Sequence, residues 1–265
     1  MNFAHEFTFH ETKKGSVSIA WMGQAGFLLK NSSQQVLALD VYLSDLAEKQ
    51  DGNKRLMPAL CRPEEIKTDV VLATHHHADH LDLDSLPVWL SGGARLYCCR
   101  ESERICREAG LAKDQITAMT AGDRVTDSGY SIEAVFADHG DTAPEALGFL
   151  IETEGVKIYF TGDTGYQQTR MQYAARQQVD VLLLPINGEY GNMNERDAAM
   201  LASQVRAELT VPCHFWMFAR HQGSPWDFTI AMKEAAPGCS YYVMAQGEII
   251  DVRPRTIGNQ CLVRF

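Results

Sequence analysis

Residues 70–80 read VVLATHHHADH, and this stretch decides how the rest of the chain is interpreted. Its first four residues are uniformly apolar, which predicts a buried strand. Four side chains that can bind a metal ion follow within six residues: His75, His77, Asp79 and His80. Because the chain turns just past a strand end, the first two can point to one side and the last two to another. The stretch therefore predicts two neighbouring metal sites.

A metal site must be weighed against an ordinary structural use of histidine. A lone histidine is usually a polar surface residue or a core residue with its hydrogen bonds satisfied. Clustered imidazoles, however, lose solvation and repel one another on protonation, and a divalent cation that keeps them neutral removes both costs. The remaining histidine, His76, lies between two predicted ligands, and neighbouring side chains diverge. We expect it to face solvent or to support a ligand from behind.

Three later segments complete the pattern: FADHG at 136–140 with His139, TGDT at 161–164 with Asp163, and PCHF at 212–215 with His214. With His-x-His-x-Asp-His after a strand, their order and spacing resemble the metallo-β-lactamase superfamily. More narrowly, three segments resemble its L-ascorbate-6-phosphate lactonase branch: WMGQAGF at 21–27, LDVY at 39–42 and NMNERDAA at 192–199.

The pattern of strands and helices points to an α/β fold with two sheets. An early meander is predicted over 16–21, 26–30 and 36–41, and polar residues 49–65 look like a surface loop suited to be a lid. Later, helices over 167–177, 194–207 and 226–235 precede strands over 179–184, 210–214 and 241–245. Helices that alternate with strands cover a sheet, against which the meander forms another. We expect one domain, 1–265, with the four-layer αββα sandwich of the superfamily.

The resemblance also implies how the metal ligands divide. One ion would be held by His75, His77 and His139, a second by Asp79, His80 and His214, with Asp163 bridging the two. In relatives a water shared by two ions is delivered as hydroxide to a carbonyl or a phosphorus atom. Asp79 would orient that hydroxide or relay its proton, or it would be a simple ligand.

The metal itself is less defined by the sequence. Imidazole and carboxylate ligands suit zinc or manganese, with iron as an alternative, and the lactonase branch is associated with manganese. Electron-transfer relatives place a glutamate where this chain has His77, so the resemblance favours hydrolysis over redox chemistry.

Five residues in loops expected to open on the metal face are candidate substrate contacts: Gln24, Asn187, Asn192, Arg220 and His221. Gln24 lies in a turn flanked by glycines and could donate to the substrate or to an oxyanion. The fork of Arg220 matches a phosphate or a carboxylate, although it could equally be a surface charge. Asp40 could orient a ligand histidine from behind, or it simply ends an early strand.

Composition limits the partners. The formal net charge is −10, with 24 Lys plus Arg against 34 Asp plus Glu, which argues against a nucleic-acid backbone as partner. No apolar run approaches the length of a membrane span, and no secretory signal is apparent. Seven cysteines, an odd number, favour a reducing cytoplasm over a disulfide framework. The aromatic residues Phe3, Phe7 and Phe9 could form a homo-oligomer contact or dock on the chain's own core.

Three functions are compatible with these features of the sequence. The first is a metal-dependent hydrolase that opens a lactone or ester of a small molecule, sugar phosphates included. The second is a small-molecule phosphodiesterase or a nuclease of the same fold. The third is a non-catalytic protein that keeps its metals for structure or regulation.

Overall fold

Strands dominate the part of the chain that the computed structural model describes, residues 2–255. In chain order they are β1 (Val17–Gly23), β2 (Gly26–Lys30), β3 (Val36–Leu39), β4 (Val70–Ala73), β5 (Arg95–Cys99), β6 (Ile116–Met119), β7 (Arg124–Asp127), β8 (Tyr130–Phe136), β9 (Leu147–Thr153), β10 (Val156–Phe160), β11 (Val181–Pro185), β12 (Leu209–Cys213) and β13 (Ile249–Val252). One sheet has the order β13-β1-β2-β3-β4-β5-β6, and the other has the order β12-β11-β10-β9-β8-β7.

Seven α-helices lie within residues 2–255, and all but the second cover the outer face of a sheet. They are α1 (Phe3–Phe9), α2 (Leu46–Asp51), α3 (Leu86–Ser91), α4 (Arg100–Glu108), α5 (Gln172–Ala175), α6 (Glu195–Val205) and α7 (Pro225–Ala235). Side chains of α1, α3 and α4 pack on the first sheet, whereas those of α5, α6 and α7 join the core of the second. The expected αββα sandwich is confirmed.

Side chains of β1 alternate in direction, so this one strand contributes to two hydrophobic cores. Val17, Ile19 and Trp21 point between the sheets, whereas Ala20 and Met22 point toward the helices on the outer face. All of these side chains are buried because the strand has a packed layer on each side.

The connections between strands explain why the candidate site residues lie at strand ends. Strands β3 to β6 pair in parallel, and so do β10 to β12. Parallel neighbours end at the same edge of a sheet, so the loops after them lie side by side. The loops that follow β3, β4, β10 and β12 carry Asp40, the histidine cluster, Asp163 and His214.

Two predicted elements are wrong in place or length. Residues 241–245 are aromatic and β-branched but form only a single bridge, between Tyr241 and Thr210. The strand lies further on, in β13, which pairs with β1 and completes an edge of the first sheet. The helix predicted over 167–177 is reduced to the four residues of α5.

The N-terminal aromatic residues belong mainly to the chain's own core. Helix α1 begins after Asn2, whose side chain accepts a hydrogen bond from the backbone N–H of His5. Phe3 and Phe7 are buried, and only Phe9 is exposed. Of the two alternatives for these aromatics, docking on the core holds for Phe3 and Phe7. No helix within residues 2–255 is both long and apolar enough to cross a membrane.

A buried lysine fastens α1 to the sheet. The ammonium of Lys30 donates to the backbone carbonyls of Phe7, Thr8 and His10 at the end of the helix. A cation there satisfies carbonyls that the helix leaves open. Burial lowers the pKa of Lys30 to about 8, although the charge of Asp251 acts in the opposite direction.

Replacing Lys30 with Met is expected to lower the free energy of unfolding at pH 7 by about 1–3 kcal/mol, because the backbone carbonyls of Phe7, Thr8 and His10 lose their hydrogen-bond donor. The pKa of Lys30 is about 8 in the fold against an ordinary 10.5, so the unfolded chain binds more protons between these values. Wild-type stability relative to Lys30→Met should therefore rise as pH increases through that window. Urea unfolding at pH 7, 8.5 and 10 measures both effects. The exposed Lys54→Met is the control, and a pH-independent gap would refute the assignment.

Candidate metal centre

A close backbone approach brings Asp163 to the end of β4. The preceding residue, Gly162, has φ +61°, and a Cβ atom there would lie 2.7 Å from Thr74 Cγ2 and 2.8 Å from the carbonyl oxygen of Leu147. Only glycine fits both the backbone conformation and the space. The turn after β10 can therefore place Asp163 beside the histidines that follow β4.

His75, His77 and His139 form one half of the centre. His77 Nδ1 lies 2.8 Å from His75 Nε2 and 3.3 Å from His139 Nε2. Three ring nitrogens that face one another cannot all be satisfied by the protons of neutral imidazoles, whereas a cation between them can accept all three lone pairs. The sequence predicted this set, and the structure brings it together.

The second half contains Asp79, His80 and His214. His80 Nε2 and His214 Nε2 are 3.3 Å apart, and Asp79 Oδ2 lies 3.5 Å from the first and 3.6 Å from the second. These three come from the loops after β4 and β12, as the sequence predicted. His221 adds a further nitrogen within 4.8 Å of the Asp79 and His214 ligand atoms.

Asp163 faces both halves. Its Oδ2 atom lies 3.0 Å from His214 Nε2, 3.4 Å from His80 Nε2 and 3.8 Å from His139 Nε2. Its other oxygen, Oδ1, is buried without a hydrogen-bond partner in the part of the chain that the structure describes. A carboxylate between two sets of imidazoles, with one oxygen unsatisfied, fits the bridging position expected for this residue.

Electrostatics of the centre favours a bound cation. Three carboxylates, those of Asp40, Asp79 and Asp163, raise the pKa of His80 well above its usual range against the opposing effect of burial. Burial would also raise the pKa of Asp163, but the facing His214 and His80 hold it well below its usual range. The carboxylates of the centre thus attract positive charge, which a proton on His80 or a bound cation can supply.

Asp40 supports His80 from behind. Its Oδ2 atom lies 2.7 Å from His80 Nδ1 and accepts a hydrogen bond of 2.6 Å from the Thr74 hydroxyl, while Oδ1 accepts one of 2.8 Å from the Thr74 backbone N–H. A carboxylate on the far nitrogen fixes the tautomer, so Nε2 presents its lone pair to the centre. Of the two uses predicted for Asp40, the structure shows the orienting one.

Gln24 points into the centre rather than toward solvent. Its side-chain Nε2 lies 2.6 Å from Asp79 Oδ2 and 2.8 Å from His221 Nδ1, and its Oε1 atom has no partner within residues 2–255. The residue is fully buried with φ +53°, and its carbonyl accepts from the backbone N–H of His214. Gln24 was predicted to touch substrate, but the structure uses it to hold Asp79.

The two predicted asparagines also lie behind the centre. Asn192 donates from Nδ2 to Asp163 Oδ2 at 2.8 Å and to Asn187 Oδ1 at 3.1 Å. Both asparagines are buried, and neither lines the cavity above the centre. Their contacts orient Asp163, where substrate contact was expected.

A cavity of about 410 Å³ opens on the centre. Its floor consists of predicted site residues: His77, Asp79, His139, Asp163, His214 and His221. Its walls come from three separate loops and from α2: Ala47, Asp51, Asn53, Gly140, Asp141, Thr142, Tyr190 and Phe218. Of the five predicted substrate residues, only His221 is brought to this cavity.

Arg220 and His76 lie away from the floor. Arg220 is exposed and does not line the cavity, although it directly precedes His221. His76 is half-buried and lines a neighbouring cavity with Cys99 and Glu101. The three groups of potential ligands found among the described residues leave it out, in agreement with its expected non-ligand role.

Most of the wall residues were not singled out from the sequence. Asp51 is the last residue of α2, Asn53 lies just after that helix, and Tyr190 follows β11, so no local motif connects them. Segment 49–65 was predicted as a lid. The structure instead ties part of it down, since the Arg55 guanidinium donates to the carbonyls of Tyr42, Ser44 and Met57.

Two facing sheets with a histidine–aspartate centre at their strand ends define a protein of the metallo-β-lactamase fold. A sequence profile described as "Beta-lactamase superfamily domain" matches residues 18–214. A UPF0173 metal-dependent hydrolase from Anaeromyxobacter sp. (strain K) is 30% identical over 238 residues, covering 84% of this chain and 83% of the relative. The chain belongs to the beta-lactamase superfamily, among the UPF0173 metal-dependent hydrolases.

A second relative agrees with this family, and a solved structure agrees with the fold. A UPF0173 metal-dependent hydrolase from Archaeoglobus fulgidus is 28% identical over 242 residues, covering 88% of this chain and 97% of the relative. The solved structure of Igni18, a metallo hydrolase from Ignicoccus hospitalis, has a TM-score of 0.70 at 24% identity, covering 89% of this chain and 98% of that one. The superfamily prediction is confirmed, and the narrower resemblance to the lactonase branch stays a prediction.

Proposed function

We propose that this protein hydrolyses a lactone or ester of a small molecule with the help of two divalent metal ions, zinc or manganese. The observation that carries the proposal is the floor of the cavity. There, two sets of nitrogen and oxygen ligand atoms face each other across Asp163, next to a space large enough for a small substrate.

The residues present fit such ions. His75, His77 and His139 would hold one, and Asp79, His80 and His214 would hold the other, with Asp163 between them. The unpartnered Asp163 Oδ1 and the facing ring nitrogens are atoms that a cation satisfies. When bound, divalent ions supply Lewis acidity toward a carbonyl oxygen and lower the pKa of water.

The protein's own groups would manage protons and orientation. Burial raises the pKa of the Asp79 carboxyl, but the facing His80 and His214 outweigh it and leave that pKa below its usual value. Asp79 is therefore an ionised acceptor at the cavity floor, available to hold or pass a proton at Oδ2. Gln24 keeps that oxygen in place from behind, and Asn192 does the same for Asp163.

The test couples metal content with activity. Protein purified without chelator is expected to contain about two metal equivalents by elemental analysis and to open γ- or δ-lactones. The same preparation is assayed on bis(4-nitrophenyl) phosphate. Lactone turnover supports the proposal, and turnover of the phosphodiester alone would replace it with a phosphodiesterase function. Folded protein without metal affinity would refute both.

A further inference from the structure

The walls of the cavity carry negative charge and no positive charge. Among the described residues that line it, none is Lys or Arg, whereas Asp51 and Asp141 stand at its rim. Both aspartates are exposed, and they come from different segments, one at the end of α2 and one in the loop after β8. The remaining wall is largely neutral, with Tyr190 and Phe218 among its side chains.

Basic side chains near these walls are held elsewhere or lie outside the cavity. Lys49 forms an ion pair of 2.5 Å with Asp84, and Arg55 is occupied by three backbone carbonyls. Lys54 is exposed, but it is not a lining residue. Arg220, expected to grip an anion, is likewise outside the lining.

The two rim carboxylates are not neutralised. Neither Asp51 nor Asp141 forms an ion pair or a side-chain hydrogen bond with another residue in the range 2–255. The chain as a whole is also acidic, with a formal net charge of −10. An anionic group that enters the cavity would therefore meet uncompensated negative charge before it reaches the centre.

We infer that the substrate is uncharged or cationic in the part that remains in the cavity, and that Asp51 and Asp141 discriminate against phosphorylated or carboxylated analogues. The inference rests on the proposed hydrolase function and narrows it. Metal ions held at the floor would supply Lewis acidity toward the carbonyl group, whereas the rim acts on the rest of the molecule. A sugar phosphate is thereby disfavoured, since no described lining residue supplies the cation that phosphate recognition uses.

A matched pair of lactones tests the inference. Metal-loaded protein is assayed at low ionic strength on 5-(hydroxymethyl)-γ-butyrolactone and on its phosphate monoester. The neutral lactone is expected to have at least a tenfold higher kcat/KM than the phosphate. The double variant Asp51→Asn/Asp141→Asn should lower that ratio at least threefold, because removal of the rim charge relieves the repulsion of the phosphate.

A control with the same change in charge is Asp114→Asn/Glu234→Gln, two exposed carboxylates outside the cavity, which should leave the ratio unchanged. Equal or faster turnover of the phosphate by the wild type would overturn the inference while leaving the hydrolase function intact. The inference would also be overturned if Asp51→Asn/Asp141→Asn left the ratio of the two kcat/KM values unchanged. If neither lactone is opened by protein that contains metal, the proposed function itself fails.

Discussion

Replacing Asp79 with Asn is expected to lower kcat/KM for lactone opening by about 10²- to 10⁴-fold, the range typical of a lost proton acceptor. The ionised Oδ2 atom faces His80 Nε2 and His214 Nε2 at 3.5 and 3.6 Å and lines the cavity floor. An amide keeps the size of the side chain but can neither carry the negative charge nor take up a proton.

The fold should survive this substitution. Gln24 donates to Asp79 Oδ2, and its own Oε1 atom is buried without a partner among the described residues, so rotation of the Gln24 amide would let Oε1 accept from the new Asn. Circular dichroism and urea unfolding check the fold, and elemental analysis checks the metal content. The exposed Asp114→Asn is the control for activity. Turnover near the wild-type level with both metals retained would contradict the assigned function of Asp79.

Much of the centre was accessible from the sequence because its ligands follow buried strands. Apolar strands such as β4 leave a clear signal, and the polar residue after each strand end must lie at the sheet edge. The resemblance to the metallo-β-lactamase superfamily then assigned His139, Asp163 and His214 as ligands, each at the end of a predicted strand. Their mutual distances were not derivable from one sequence, because they depend on how two sheets face each other.

The residues that support the ligands, and those that line the cavity above them, could not be predicted as well. Gln24 and Asn192 looked like substrate contacts because they are polar and follow strands, but the direction of a side chain in a loop depends on its backbone. Gln24 and His214 both have positive φ, 53° and 59°. Such conformations in non-glycine residues are set by tertiary contacts rather than by local preference. Their contact with each other, between His214 N–H and the Gln24 carbonyl, joins residues 190 positions apart in the chain.

The misplaced last strand has a similar cause. Residues 241–245 have the composition of a strand, but they come directly before the turn that leads to β13. Ile249–Val252 pairs instead with β1, whose paired residues lie 229 to 235 positions earlier in the chain, and the register Val17↔Val252 fixes it there. Composition indicates strand propensity but not which stretch finds a partner. The short helix α1 was missed because seven residues carry too little periodicity to be distinguished.

Replacing Asp40 is expected to weaken metal binding without any direct contact with an ion. The carboxylate is fully buried, and its Oδ2 atom lies 2.7 Å from His80 Nδ1. In Asp40→Asn the single amide oxygen can accept from either the His80 N–H or the Thr74 backbone N–H, and the NH2 group then opposes the other, so one contact is lost together with the negative charge behind His80. Loss of such a support typically costs 10- to 100-fold in metal affinity. Competition with a chromophoric chelator measures the metal affinity. About one of the two metal equivalents should bind more weakly than in the wild type.

Asp40→Ala should have the larger effect on stability, about 3–5 kcal/mol in the free energy of unfolding of metal-free protein. It leaves His80 and both Thr74 donors without an acceptor, and it places alanine at φ +41°, which Asn tolerates better. A matched control is Asp82→Ala. Asp82 is another buried carboxylate, and it accepts from Leu43, Ser44 and Ser85 without contacting a predicted ligand. It should lose stability but keep metal affinity. Equal metal affinities in Asp40→Asn and wild type would show that Asp40 supports the backbone and not His80.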